Sequence, residues 1–447
     1  CIRDSEVSEL AGYIGNFTAT IRRKARSVIA EKCDGCGACW EKCPVEVPNE
    51  FDRGLSQRKA IYRPFPEAMP NLPVIDRQAC IRFQGGECDI CQKACPKGAI
   101  DYNQQDEMVE IDAGAVIVAT GYDLFDPTPI TQYGYGKYPN VITSAEFERL
   151  TAANGPTGGE IRLRDGSTPK SVAIIHCVGS RDENYHEYCS RVCCMYGLKY
   201  ARQLRQLGIE AYQFYIDMRC FGKGHEEFYK ETADAGVQFI RGKVAQVTDV
   251  AQNDEEKGKL IVVAEDSLLG AIIRVPVDMV VLSVTMQPQK DTTDLARTLL
   301  LGCSSDGFFL ERHPKLDPVG TMFDGLFTVG CCQFPKDITD TVAQATGAAA
   351  RAIELISKGQ VEMEAATAVV DEEICAGCGY CEAVCAYSAV EVDPRTKIAR
   401  VNEALCKGCG ACAVNCPSKA MQLKNFGPQQ IMDMLDEATR EYAGRAA

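Results

Sequence analysis

The chain has 447 residues, enough for roughly two to four domains with a sizeable core, and its 48 basic against 62 acidic side chains give a formal net charge of −14. That balance excludes nucleic acid as a partner, and thiolate-ligated clusters would make it more negative. No apolar run reaches 18 residues, so no helical membrane span is expected, and no signal-peptide pattern is present. The composition is otherwise ordinary except for 25 cysteines, a number that means either a disulfide framework or metal ligation, and spacing decides between them.

In chain order, residues 12–30 (GYIGNFTATIRRKARSVIA) alternate polar and apolar side chains as a strand or hairpin does. A cysteine block from Cys33 to Cys95 follows, then a strand of small and β-branched residues over 110–123 (EIDAGAVIVATGYD) that ends on Gly121. A Gly/Pro/Tyr-rich loop leads into a short helix, SAEFERLTAA. From Lys170 the pattern is strand (KSVAII), cysteine turn, helix (YGLKYARQLRQLG), strand (EAYQFYID), helix (GHEEFYKETADAG) and strand (VQFIRG), which predicts an α/β layer on a parallel sheet. A hairpin of LIVVAED and IIRVPVDMVVLSVTM is predicted across the charged turn NDEEKGK. GLFTVGCC reads as a strand meeting a loop, and DTVAQATGAAARAIELISKG as an Ala-rich helix closed by Gly359. The acidic stretch QVEMEAATAVVDEE is predicted to link to a last module over 371–424.

Sixteen cysteines fall in four tight groups: Cys33, Cys36, Cys39 and Cys43; Cys80, Cys88, Cys91 and Cys95; Cys375, Cys378, Cys381 and Cys385; Cys406, Cys409, Cys412 and Cys416. Three groups are C-x2-C-x2-C-x3-C runs, and the second widens its first interval to eight residues while keeping the ligand order. This is the bacterial two-cluster ferredoxin spacing, in which the fourth cysteine of each run ligates the other run's cluster. The rule assigns Cys33, Cys36, Cys39 and Cys95 to one [4Fe–4S] centre, and Cys88, Cys91, Cys80 and Cys43 to its neighbour. It likewise assigns Cys375, Cys378, Cys381 and Cys416 to a third centre, and Cys406, Cys409, Cys412 and Cys385 to a fourth. Glycines between the first cysteines let the loop wrap closely and turn backbone N–H groups toward sulfur. Structural zinc prefers paired C-x2-C knuckles that close at four ligands, so a third cysteine at the same interval fits a cubane better. Trp40 is expected to be a packing residue that shields a cluster.

Cys177, Cys189, Cys193 and Cys194 stand where a nucleotide-binding βαβ unit would carry its glycine-rich turn to a helix N-terminus. A strand end, a loop and a first helical turn can converge on one point, which allows a non-standard cluster site. Buried thiols and a zinc site fit the same spacing. His176 is expected to be a packed neighbour, with Cys220 a spare candidate ligand.

ATGYD (119–123) and GLFTVGCC…DTVAQATGAAARA (325–352) resemble the two flavin-facing motifs of thioredoxin-reductase-like flavoproteins: a strand-end Thr120–Gly121, and a strand ending on Gly330 before a helix whose N-terminal N–H groups face the flavin's pyrimidine side. Together with the cysteine blocks, the segments GYIGNF, CPVEVPNEFDRGLSQRKAIYRPFP, YGYGKYPNVITSAEFERL, CVGSRDENYHEYCSRVCCMYGLK and CCQFPKDITDTVAQATGAAARA resemble, in this order, the A subunit of heterodisulfide reductase, from about residue 5 to 424. The resemblance implies an α/β, thioredoxin-reductase-like FAD/NAD(P)-binding core with one inserted and one C-terminal α+β two-[4Fe–4S] ferredoxin domain. It also implies a further [4Fe–4S] centre at Cys177, Cys189, Cys193 and Cys194, five clusters in all, and FAD contacts at Thr120, Gly121, Gly330, Lys336, Asp337, Asp340, Thr341 and Val342. Lys336 is the candidate for tuning the flavin by stabilising an anionic reduced state.

The expected division is 1–30 as part of the FAD domain, 31–105 as the inserted ferredoxin domain, 106–169 as the FAD domain continued, 170–290 as a nucleotide-binding-like domain carrying the non-standard site, 291–365 as the FAD-domain return, and 366–447 as the C-terminal ferredoxin domain and tail. No G-x-G-x-x-G occurs anywhere. The resemblance implies a cluster where the nicotinamide coenzyme would bind, which the absent motif does not contradict, and an unseen preceding segment or a separate chain is expected to complete the FAD pyrophosphate site. Departures from the pattern are Cys331, where flavoproteins of the wider class carry an acidic residue, and Ala386 in place of proline after Cys385. Cys1, Cys220, Cys303, Cys331 and Cys332 stay unassigned.

The expected function is an oxidoreductase component for flavin-based electron bifurcation or confurcation in a complex; a non-bifurcating relay is the competing reading, and a zinc-stabilised scaffold a remote one. Expected partners are heterodisulfide-reductase B/C-like subunits, a hydrogenase- or formate-dehydrogenase-type donor and ferredoxin, with a homodimer inside the complex, in an anaerobe's cytoplasm.

Overall fold

The N-terminal alternation produces a hairpin, Ser5–Tyr13 against Asn16–Arg23, turning at Ile14 and Gly15, where Gly15 adopts φ 81. Glu107–Ala113 adds to Asn16–Arg23 as a third antiparallel strand, so the first cysteine block is an excursion between two paired strands. In this computed structural model residues 4–360 and 365–445 are described. Cys1 and part of the predicted linker lie outside the described residues.

The predicted strand over 110–123 divides in two. Glu107–Ala113 has one exposed face and stays with the hairpin, whereas Val116–Val118 pairs in parallel with Leu326–Thr328 in a separate sheet. Gly114 marks the break, its carbonyl accepting from Gly15 N at 2.9 Å.

The alternating βα pattern after Lys170 forms a five-stranded parallel sheet in the order Val141–Thr143, Met279–Val284, Ser171–Val178, Glu210–Tyr215, Gln238–Arg241. Ser171–Val178 and Met279–Val284 are buried along their whole length, as expected of central strands covered on both faces. Period-2 geometry divides their side chains between two cores. Ala173, Ile175, Val280 and Leu282 face one, and Val172, Ile174 and Val281 face the other, with Phe147 of the helix Ser144–Thr151 and Leu204 of the helix Cys193–Gln206. Each such side chain stabilises the sheet by about 1.5–3 kcal/mol relative to exposure.

The predicted hairpin is drawn differently. The charged turn joins Val244–Thr248 to Leu260–Asp266, which turns again at Ser267–Gly270 into Ala271–Val277. The long apolar run then breaks at Asp278, whose carboxylate accepts from Lys170 N (2.7 Å) and Ser171 N (3.1 Å), and Met279–Val284 crosses into the parallel sheet. An acidic residue that caps a neighbouring strand start reads, in one dimension, as a polar interruption within a single strand.

The helix Ser144–Thr151 begins on a capping box, with Thr143 and Glu146 satisfying each other's N–H groups. The helix Ile338–Lys358 ends on Gly359 at φ 61, as predicted. Among the described residues no helix is long and apolar enough to cross a membrane.

Candidate functional site

The four cysteine runs fold into two modules in which the third cysteine of each run sits on a short helix: Ala38–Glu41, Ile90–Ala94, Tyr380–Ala383 and Ala411–Val414. Three of these helices start from a left-handed glycine, Gly37, Gly379 or Gly410, at φ 94, 78 and 76. Asp89 stands in that place in the fourth, the run with the lengthened loop.

The crossed ligand sets converge. Cys33, Cys36, Cys39 and Cys95 line one small cavity, and Cys385, Cys406, Cys409 and Cys412 line another. Burial first, then the neighbouring Cys80, Cys43 and Cys88, push the Cys91 thiol up, so the second set also gathers around one point. Cys375 and Cys378 act likewise on Cys381, in a core that includes Cys416. Four soft sulfurs around one small cavity fit a cubane. Gly377 tightens one loop, since a Cβ there would lie 2.2 Å from Lys397 O. Burial raises the Cys39 thiol to about 12, and those of Cys381 and Cys412 also rise, so metal binding must displace these protons. The indole of Trp40 closes over Gly37 and lines the Cys33 cavity, a packing role.

The strand-end cysteines are assembled differently. Ser171–Val178 carries an extra residue relative to Met279–Val284 between Ile175 and Val178, and Cys177 in this bulge takes φ 60. The bulge brings the Cys177 thiol to Cys193, which also hydrogen-bonds Cys194. Sharing the Cys193 proton lowers both Cys177 and Cys194, with His176 adding to both. Ligand atoms of His176, Cys193 and Cys194 lie within 4.8 Å of one another, and all three residues are buried. Cys189 stands on the incoming loop, its Sγ accepting from Arg191 N at 3.2 Å. Cys220 is half-buried near Cys194, and burial raises its thiol to about 11.

His176 is held by a partner that the sequence does not announce. Gln213 Nε2 donates to Gly197 O (2.9 Å), which turns its Oε1 toward His176 Nε2 at 2.7 Å. Nε2 therefore carries the proton, and Nδ1 faces the cysteines. Arg181 approaches Cys177 while paired with Asp217 at 2.7 Å, adding positive charge beside the sulfurs.

The two flavin-type motifs also meet. Because Val116–Val118 and Leu326–Thr328 run parallel, their ends place Thr120–Gly121 beside Gly330–Cys332, and Gly121 and Gly330 take φ 78 and 74. A Cβ on Gly330 would lie 3.3 Å from Thr341. Asp337 caps Ile338–Lys358 by accepting from Asp340 N at 2.8 Å, and Thr341 Oγ1 donates to Asp337 O at 2.7 Å. Val342 is exposed. Lys336 is buried, its Nζ donating to Gly330 O (2.9 Å) and Phe334 O (2.7 Å), and burial lowers its pKa.

Cys331 lies near the Tyr122 hydroxyl and Cys332 Sγ reaches Val118 O at 3.4 Å, while Cys303 is half-buried. Arg191, two residues after Cys189, ion-pairs with Asp340 and so joins the cysteine loop to the helix of the second motif. The rings of Tyr188, Phe308 and Phe334 pack on one another with centroids 5.3–5.5 Å apart, so the residue before Cys189 touches the loop that leads to Lys336.

Comparison with known proteins agrees with this geometry. Residues 357–430 match the 4Fe-4S dicluster domain family and residues 27–49 the 4Fe-4S binding domain family. The chain is 47% identical over 394 residues to the A subunit of the H(2):CoB-CoM heterodisulfide,ferredoxin reductase of Methanothermobacter marburgensis, covering 87% of this chain and 58% of that protein. It is 49% identical over 440 residues to the iron-sulfur A subunit of the CoB–CoM heterodisulfide reductase of Methanocaldococcus jannaschii, covering 97% and 65%. To the A subunit of the ferredoxin/F(420)H(2)-dependent CoB-CoM heterodisulfide reductase of Methanosarcina acetivorans it is 42% identical over 440 residues, covering 97% and 54%. Among solved structures, thioredoxin reductases of T. acidophilum and Lactococcus lactis align at 13% and 15% identity over 67% of this chain and 84% and 86% of theirs, with TM-scores of 0.34 and 0.35, too low to fix the fold by themselves. Spanning 54–65% of the length of these curated relatives, the chain is similar to heterodisulfide reductase A subunits along nearly all of itself.

Proposed function

We propose that this chain distributes electrons within a heterodisulfide-reductase-type complex, between a bound FAD and five [4Fe–4S] clusters. The observation that carries the reading is the Arg191–Asp340 pair, which fastens the strand-end cysteine site to the convergence of the two flavin-type motifs. FAD exchanges electrons as a pair or singly and the clusters exchange them singly.

Thr120, Gly121, Gly330 and the first turn of Ile338–Lys358, with Asp337, Asp340, Thr341 and Val342, would hold the flavin. The buried ammonium of Lys336 places positive charge there and favours an anionic reduced ring. Cys177, Cys189, Cys193 and Cys194 would hold the fifth cluster, with His176 and Arg181 countering its negative charge. The exposed sulfur ligands Cys36, Cys378 and Cys409 bring the ferredoxin-type sites to the surface, where partners can exchange electrons with them. Ile117, Val342 and Ile353 are exposed, and a further βαβ layer, supplied by this polypeptide or another chain, would carry the pyrophosphate site.

Relatives are named for hydrogen, formate and ferredoxin as redox partners of heterodisulfide. Donors of the hydrogenase or formate dehydrogenase type, ferredoxin, B/C-like subunits and a homodimeric arrangement suit this chain, with bifurcation or confurcation at the flavin. The test is made on the whole complex, isolated without oxygen. Stoichiometric ferredoxin reduction coupled to reduction of a higher-potential disulfide supports bifurcation, and disulfide reduction that leaves ferredoxin oxidised assigns a simple relay. A Lys336→Ala chain with an unchanged flavin potential would show that Lys336 does not tune the flavin.

A further inference from the structure

The inserted module departs from the regular spacing in one place, the eight-residue interval between Cys80 and Cys88. That extra loop packs on one residue. Arg82 lies over the ring of Tyr102 at 4.6 Å from its centroid, and Phe83 meets the same ring edge-on at 6.0 Å. Tyr102 in turn places its hydroxyl 3.1 Å from Cys91 Sγ. Arg77 stacks over Phe83 at 4.8 Å and donates to Gln104 O at 2.8 Å, bracing the arrangement from behind.

Tyr102 follows Cys95 by seven residues, and the same offset from the fourth cysteine of the other runs gives Glu50, Val392 and Leu423. Only this run therefore carries a hydroxyl there. Among the described residues one other hydroxyl approaches a ferredoxin-type ligand, Ser418 at 3.6 Å from Cys416, a longer contact from a weaker acid. The remaining hydrogen bonds onto these sulfurs come from backbone N–H groups of residues such as Ala99, Ala368, Ala389 and Ala399, at 3.2–3.5 Å.

We propose that Tyr102, held by the lengthened Cys80–Cys88 loop, raises the potential of the cluster at Cys43, Cys80, Cys88 and Cys91. A cysteine sulfur bound to iron carries no hydrogen, so the phenol is the donor. An O–H aimed at a ligand sulfur stabilises the extra negative charge of the reduced cluster more than that of the oxidised one, which raises the potential. The Arg82 cation over the ring draws electron density from it and makes the phenol a stronger donor. The neighbouring set, Cys33, Cys36, Cys39 and Cys95, receives backbone N–H groups of Ala99 at Cys95, Gly35 at Cys33 and Trp40 at Cys39, and no side-chain hydroxyl among the described contacts. The inference rests on the cluster reading of these cysteines.

The experiment is an anaerobic redox titration of the full chain followed by electron paramagnetic resonance, for wild type, Tyr102→Phe and Arg82→Gln, each with its iron and sulfide content. Phenylalanine keeps the ring against Phe83 and removes only the donor. With iron unchanged, one midpoint is expected to move to more negative potential by about tenfold in the reduction equilibrium, ~59 mV for a one-electron couple, while the others stay. Arg82→Gln is expected to move the same midpoint in the same direction by less. Full iron with no midpoint moved in Tyr102→Phe overturns the proposal. Where Tyr102→Phe loses iron, Arg82→Gln decides: a shift of a single midpoint supports the proposal, and unchanged midpoints overturn it. Failure of the cluster reading is separate, because wild type itself would then lack the irons of this centre.

Discussion

The ferredoxin-type sites and the strand-end site use the same ligand, yet they are built by opposite means. In the C-terminal module the core consists partly of the ligands themselves: Cys381, Cys412 and Cys416 are three of its eight fully buried residues. In the α/β domain the two cores around the parallel sheet contain no cysteine among their buried residues, and the cysteines occupy the sheet's end. One core is partly built of cysteines. The other is complete without them.

The largest effect should come from removing the metal. Anaerobic chelation is expected to abolish amide protection in the C-terminal ferredoxin module, because binding energy there is folding energy, while Ser171–Val178 and Met279–Val284 keep theirs. Hydrogen exchange reads both; equal loss in the two regions would break the comparison. Next in size, Cys412→Ala should lose about four irons together with order in its module. Cys194→Ala should also lose about four, with melting of the α/β domain changed by only about 0.5–3 kcal/mol.

Glycines sharpen the contrast further. Gly377 has φ 62, and a Cβ added there would meet a backbone carbonyl at 2.2 Å, whereas Gly136 has φ 76 and open space around it. Alanine at Gly136 should cost about 1–2 kcal/mol, and alanine at Gly377 more than that, seen in chemical denaturation. The smallest expected effect is Thr143→Ala, which removes the capping box of Ser144–Thr151 at about 1 kcal/mol in the α/β domain and leaves iron content unchanged.

The same contrast explains what could be read in one dimension. The ferredoxin-type ligands repeat at fixed short intervals because one local turn presents three of them, and Gly37, Gly379 and Gly410 mark those turns. The parallel sheet was legible because Ser171–Val178 opens on an apolar run, Val172–Ile175, and alternates with amphipathic helices. The strand-end site was only half legible. A one-residue bulge turns Cys177 toward Cys193, and nothing in a run of β-branched residues announces it. Gln213 orients His176 from the next strand, and Arg191 meets Asp340 from 149 positions away in the chain. A glutamine inside a buried strand is the one available clue, since a buried amide needs partners. The division of the 110–123 run at Gly114 and the crossing of Met279–Val284 into the parallel sheet escaped for the same reason: pairing partners decide them, and these lie far away in sequence.

Electron distribution by this chain turns on whether the strand-end cysteines hold a cluster of their own. The direct measurement is anaerobic iron and acid-labile sulfide content of the full chain, wild type beside Cys194→Ser. A fifth cluster predicts about twenty irons falling to about sixteen, with the α/β domain still folded. About sixteen in both chains would contradict it and leave Cys177, Cys189, Cys193 and Cys194 as free thiols beside the flavin motifs.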